Sequence, residues 1–284
     1  MIISVSRRCD IPRFRLDWFM DRLEMGFVET VNPFCAAQVR RVSLRPDPAD
    51  PAAGAEVLVF WTRDPRPLLA RAEELEGRGI PFYVMVTLTG YPGALEPNVP
   101  DAETVCRAME DLAEKIGPRR VIWRYDPVFL SNLTDFFFHR ENFAALVRSL
   151  RGKIRRVIIS LYDPYRGAER RLAALGKSGV LRSSPCTGGE GRPLPQVRDL
   201  LGMLADAARR ADMEIQSCAE AEDLASLGIR AGACIDGELI RELWGIEAGG
   251  KDKNQRPHCR CTPAADIGKY GPCPAGCVYC YARR

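Results

Sequence analysis

The chain has 284 residues, 46% of them hydrophobic and 27% charged, with a formal net charge of +4. This is ordinary composition for a globular protein with a large core in one domain or two small ones, and so mild a charge neither demands nor forbids a nucleic-acid partner. No apolar run approaches the roughly 18–20 residues of a bilayer span, and MIISVSRRCDIP at the start lacks a charged leader before an apolar stretch, so a cytoplasmic protein without a membrane partner is expected.

Short apolar, β-branched runs alternate with longer amphipathic ones along the chain. Residues 2–6 predict a buried strand, and FRLDWFMDRLEMG a helix with Gly26 as its C-cap. FVETV and residues 38–44 predict a hairpin around NPFCAA, and the Pro- and Ala-rich residues 46–55 a loop. Strands are expected at 56–62, 81–89, 119–127, 154–164 and 213–220, with a short one in GIRAGACID. Helices are expected at 66–78, at 101–116 with Asp101 as N-cap, at 140–151, at 194–211, and after each of the last two strands. From Gly249 on the chain is rich in Gly, Pro, Cys and basic residues and has no core period.

Strand–helix alternation with continuous apolar strands implies an α/β fold, a parallel sheet covered by helices. Right-handed crossovers favour a complete or partial parallel β/α (TIM-like) barrel over residues 1–248, with residues 249–284 as a cysteine-rich tail over its C-terminal rim. An open doubly wound sheet is the alternative, but it wants a Gly-rich turn after the first strand, which SRRCDIP is not. Three strands run into Asp-Pro: Asp64-Pro65, Asp126-Pro127 and Asp163-Pro164. Such a pair commonly caps a following helix. Together with SRRCD, SCAE and ACID, these ends also put Arg124, Asp126, Asp163 and Glu220 on one rim, where a polar substrate or cofactor would be oriented.

Eleven cysteines in a reducing compartment argue for metal or catalytic use, and seven lie from Cys218 onward. Cys273, Cys277 and Cys280 form a Cys-x3-Cys-x2-Cys loop, CPAGCVYCYARR. Three thiolates this close wrap one small iron–sulfur core and leave one iron open unless a fourth ligand arrives. Gly276 would let the backbone approach the core closely, and Tyr279 would offer a flat face to a base. The other four, Cys218, Cys234, Cys259 and Cys261, would close a second cluster or hold zinc; otherwise Cys218 and Cys234 are buried small hydrophobes. His258 beside Cys259 reads as solvated, Cys106 as helix packing, and Cys9 at a strand end stays of interest.

DKNQRPHCRC, DIGKYG and CPAGCVYCYA, with SCAE, ACID, SRRCDIP and FWTRDP upstream, resemble the bacterial family called domain of unknown function 1848 over essentially the whole chain. The terminal loop is similar to the cluster loop of radical S-adenosylmethionine (SAM) enzymes, and CVYCYAR to that of spore photoproduct lyase-like members. That likeness implies a 4Fe–4S cluster whose open iron chelates S-adenosylmethionine, reductive cleavage to a 5′-deoxyadenosyl radical, an electron donor such as flavodoxin or ferredoxin, and a small-molecule or nucleic-acid substrate. It also implies that Tyr279 lies against the adenine, and Gly188–Glu190 matches a GGE triplet such enzymes use, although here it reads as an ordinary loop. In that family the cluster loop precedes a helix. Only four residues follow Cys280, so here the loop has to fold back over the rim. A cluster protein without SAM chemistry (an electron carrier, sensor or sulfur-transfer protein) is one alternative. A zinc-stabilised nucleic-acid binder, supported only by the basic run Arg148, Arg151, Lys153, Arg155 and Arg156, is the other.

Overall fold

The structure is a computed structural model and describes residues 1–32, 35–47, 49–50 and 53–283. Positions 33–34 of the expected hairpin, 48 and 51–52 of the expected loop, and 284 at the end of the terminal string lie outside the described residues.

Strand β1 (Ile2–Val5) leads into helices α1 (Ile11–Phe14) and α2 (Leu16–Met25), followed by an antiparallel pair, β2 (Phe27–Asn32) and β3 (Cys35–Ser43). The chain continues through β4 (Val57–Thr62), α3 (Arg66–Ala70), α4 (Ala72–Gly77), β5 (Phe82–Thr87), α5 (Ala102–Ile116), β6 (Val121–Val128), β7 (Leu130–Ser131) and α6 (Phe136–Leu150). Then come β8 (Arg156–Leu161), α7 (Arg166–Lys177), β9 (Ser183–Ser184), α8 (Pro195–Arg209), β10 (Glu214–Cys218), β11 (Arg230–Gly232), α9 (Gly237–Trp244) and β12 (Ala265–Asp266).

The main sheet has eight strands in the order β11-β10-β8-β6-β5-β4-β1-β12, every neighbouring pair parallel. From β1 to β11 the strands of this sheet follow one another in chain order, without the reversal that defines a doubly wound sheet. Among the described residues no ladder joins β11 to β12, so the architecture is an eight-stranded parallel sheet flanked by helices.

Side-chain alternation divides the sheet into two faces. Ile3, Val5, Leu58, Phe60, Val84, Trp123, Tyr125 and Ile159 pack in one core with residues of α2, α5, α6 and α8. Ile2, Val57, Val59, Tyr83, Met85, Ile122 and Ile158 point the other way, into a second core completed by Leu239 and Ile240 of α9, Cys259 and Cys261. Gly26 ends α2 in the left-handed conformation (φ 81°), and the Asp101 side chain caps α5 by accepting from Thr104 N, as expected.

Four differences from the sequence reading have local causes. The helix expected over 66–78 is two, because the backbone leaves helical geometry at Arg71 (φ −109°, ψ 8°). Helix α7 was not expected: only Ala168 and Leu172 are buried along it, and much of the rest is charged. After β10 there is only a 3-10 turn, Ala225–Leu227, in place of a helix. Residues after Gly249 include β12, which joins the main sheet beside β1. Its signal is a single carboxylate: Asp266 accepts from the hydroxyls of Ser4 and Ser6 and from Arg7 N at 2.6–2.9 Å.

Candidate functional site

At the C-terminal ends of the strands, the parity that buries Val59, Met85, Ile122 and Ile158 also turns Ser6, Trp61, Arg63, Thr87, Arg124, Asp126, Ser160 and Cys218 to one side. Together with the segment from Gln255 to Arg283 they line one cavity of about 460 Å³, the size of a small-molecule site. Seven cysteines open onto it: Cys218, Cys234, Cys259, Cys261, Cys273, Cys277 and Cys280, with Cys9 as an eighth.

The terminal loop is built on its own apolar cluster, where Ala275, Cys277 and Tyr279 pack with Tyr91, Leu95, Phe129 and Leu172. Its backbone turns are closed by Gly276 N to Cys273 O (3.1 Å) and Cys280 N to Cys277 O (3.4 Å). The loop after β5 holds it through Val278 N to Leu95 O (3.0 Å) and Asn98 Nδ2 to Pro274 O (2.8 Å). From α7, Arg171 donates to the carbonyls of Val278 (2.9 Å), Arg283 (3.1 Å) and Cys280. Gly276 has φ +74°, and a Cβ there would lie 3.1 Å from Pro97 Cγ, so the close approach that requires glycine is to the protein itself.

Arg63 is the cation of this end. Asp10 accepts from its backbone N at 2.9 Å, and its guanidinium donates to Glu96 Oε1 (2.7 Å) and to the Tyr279 hydroxyl (2.7 Å). Burial works against the Arg63 charge, but the facing Cys277, Glu96, Tyr279 and Cys280 raise its pKa well above the ordinary value. Burial pushes the Cys277 thiol up to about 12, with Arg63 pulling the other way. A metal core that replaces the proton relieves that burial cost, and a guanidinium suits the anionic product.

Tyr279 is 4% exposed, its ring stacked on Phe129 (centroids 6.1 Å apart) and set edgewise to Tyr91, and its hydroxyl also donates to Glu96. In this arrangement the ring packs against protein and does not present the free face expected for an adenine. Tyr281, 47% exposed and tilted against the likewise exposed Tyr165, lines the cavity with it.

The other four cysteines converge as well. Cys218 ends β10, Cys234 follows β11, and Cys259 and Cys261 arrive from the later segment, pinned by Thr262 N to Ile235 O (3.0 Å). All four are at most 9% exposed. Cys234 Sγ donates to Cys218 Sγ at 3.4 Å, and Cys261 Sγ accepts from Ile235 N at 3.4 Å. Hydrogen bonds from Cys234 and Cys259 lower the Cys261 thiol, and the donors are raised in return, so the set shares its protons as a unit. Among the described residues no three Cys, His, Asp or Glu side chains are set around a common point for a single ion. An iron–sulfur core does not ask for that, since its thiolates sit on different irons.

The rim residues expected from the sequence divide. Arg124 pairs with Asp126, which also accepts from Ser160, and all three line the cavity. Asp163 lines it too, paired with Arg256 rather than capping a helix. Asp64 is the cap-like member, accepting from Arg66 N at 3.2 Å. Glu220 is not among the lining residues: its carboxylate accepts from Leu161 N at 2.9 Å, a bond that holds the β8 end. The triplet Gly188–Glu190 is exposed on a short turn away from the cavity lining. His258 is exposed. In the basic run, Lys153 pairs with Glu114, and Arg156, at the N-terminal end of β8, pairs with Glu214 and Asp236, opposite the cavity end of that strand.

Sequence reasoning missed Arg63, Glu96, Arg256 and Asp266. Arg63 stands inside the strand-end string FWTRDP, next to the Asp64 that drew attention, and alternation from Val59 and Trp61 would have put it on the cavity face. Glu96 lies in a loop with no signal of its own.

The family model described as Domain of unknown function (DUF1848) matches residues 2–282. No curated protein and no solved structure matches the chain.

Proposed function

The chain belongs to that family of unknown function, so its chemistry has to be read from its own residues, and we propose that it is an iron–sulfur enzyme of the radical SAM kind, acting on a polar substrate in the cavity at the strand ends. The observation that carries this reading is that Cys273, Cys277 and Cys280, three thiols on one short loop, open onto the same cavity as the polar sheet edge. A 4Fe–4S cluster bound there would supply the one electron, drawn from a ferredoxin- or flavodoxin-like donor, that cleaves S-adenosylmethionine to methionine and a 5′-deoxyadenosyl radical.

The protein's own part is binding, orientation and exclusion of water. Cys273, Cys277 and Cys280 would hold the cluster, and Arg63, which ties Tyr279 and Glu96 behind the loop, would balance its charge. Arg124, Asp126, Ser160 and Asp163 present paired charges and a hydroxyl to the substrate. A sheet curled over this edge into a TIM-like barrel would enclose the reacting atoms further.

The test is anaerobic reconstitution with iron and sulfide, reduction, and addition of S-adenosylmethionine. The expected product is 5′-deoxyadenosine, lost in Cys273→Ala/Cys277→Ala/Cys280→Ala. A fully loaded, reducible protein that yields none sinks the proposal.

A further inference from the structure

We infer that Cys218, Cys234, Cys259 and Cys261 form a second, closed metal centre of four thiolates, facing the terminal loop across the same cavity. The ligand is an iron–sulfur core, which four thiolates satisfy completely; a single ion does not fit, because among the described residues no three such side chains surround a common point. This does not rest on the reading of the terminal loop, since it uses different residues.

Buried cysteine is common as a small hydrophobe, and packing alone is the competing account. Three observations speak against it. The four thiols come from three separate parts of the chain, yet they meet, with Cys234 and Cys218 sulfurs 3.4 Å apart. The segment that brings Cys259 and Cys261 has been threaded back over the sheet and fixed to the backbone beyond β11 and to β1. Apolar packing would not need sulfur from both sides of that junction.

The second observation is charge. Arg7, Arg124 and Arg256 line the same cavity as the four thiols, and such cations suit an anionic metal–thiolate core.

The third is unsatisfied hydrogen bonding. Arg124 Nε and Trp61 Nε1 are buried donors without an acceptor among the described residues, and both residues line the cavity, the guanidinium carbon 4.9 Å from the Trp61 ring centre. A buried N–H without an acceptor is costly. Metal-bound thiolate or inorganic sulfide is an acceptor, and hydrogen bonds to cluster sulfur are an ordinary feature of such centres.

The experiment counts iron, zinc and acid-labile sulfide per chain in anaerobically reconstituted full-length protein. Four proteins are compared: wild type, Cys218→Ala/Cys234→Ala, Cys259→Ser/Cys261→Ser, and the triple alanine variant of the terminal loop. Each pair variant should lose the same complement, about four irons with their sulfide; loss of about one zinc and no iron would overturn the iron–sulfur assignment. The triple variant should keep that complement. A far-UV circular dichroism spectrum and a cooperative unfolding transition like those of the wild type show that the pair variants have folded. An unchanged metal count in both pair variants overturns the second centre and leaves the first untouched. Loss of iron in the triple variant alone would do the same.

Discussion

At the scale of single residues, a buried polar group's partners fix its protonation. His139 is an instance outside the cavity. It is fully buried on α6; its Nε2 lies 3.0 Å from Phe129 O, which can only accept, so Nε2 carries the proton and Nδ1 accepts from the Tyr125 hydroxyl at 2.8 Å. Burial lowers its pKa from the ordinary 6.5 to about 4. The unfolded chain therefore binds a proton between those values that the folded chain refuses. The resulting stabilisation is complete above pH 6.5, falls as pH drops through the window, and is gone below pH 4. Urea unfolding of metal-free protein should show a loss of as much as about 3 kcal/mol from this group between pH 7 and 4. His139→Gln should flatten that part of the profile; equal slopes in the two proteins would contradict the assignment. Arg63 makes a related point about reading a sequence. Its type and its position after β4 were visible, but its partner Glu96 and its place beside Cys277 depend on a loop fold that no local pattern announces.

At the scale of elements, the terminal loop is docked by pieces that the sequence showed unevenly. The cysteines at 273, 277 and 280 were legible because metal-ligand spacing is short-range. The buried strands β4, β5, β6 and β8 were legible because both faces are apolar for most of their length. Helix α7 was not, having few buried positions, and yet its Arg171 holds three backbone carbonyls of the loop. Arg171→Lys cannot reproduce that planar fork. The loss of docking should be about 2 kcal/mol, seen as roughly 30-fold faster amide hydrogen exchange over 278–283 with the rest of the sheet unchanged. Unaltered exchange there would mean that the contacts of Leu95 and Asn98 suffice. Strand β12 was equally hidden: two residues long, it is recognisable only through Asp266, whose partners Ser4, Ser6 and Arg7 stand at the other end of the chain.

At the scale of the whole molecule, one sheet edge gathers chemistry from both ends of the sequence. Alternation along each strand makes one face apolar below and polar above, α9 fills the apolar part, and the segment after Gln255 borders the polar part with its five cysteines and those of the strand ends. Among the described residues no helix is long and apolar enough to cross a membrane. The fold class and the convergence of Cys218, Cys234, Cys259 and Cys261 followed from strand ends and cysteine arithmetic. The packed state of Tyr279 and the departure of Glu220 from the cavity did not, because both depend on which neighbour reaches a side chain first. The central claim is that the terminal loop carries a cluster with an iron open to S-adenosylmethionine. Its most direct test is the electron paramagnetic resonance spectrum of the reduced, reconstituted protein with and without S-adenosylmethionine, taken as the difference from the Cys273→Ala/Cys277→Ala/Cys280→Ala variant. The account predicts a terminal-loop signal whose shape changes when the nucleotide is added; a fully reduced signal that the nucleotide leaves unchanged would contradict it.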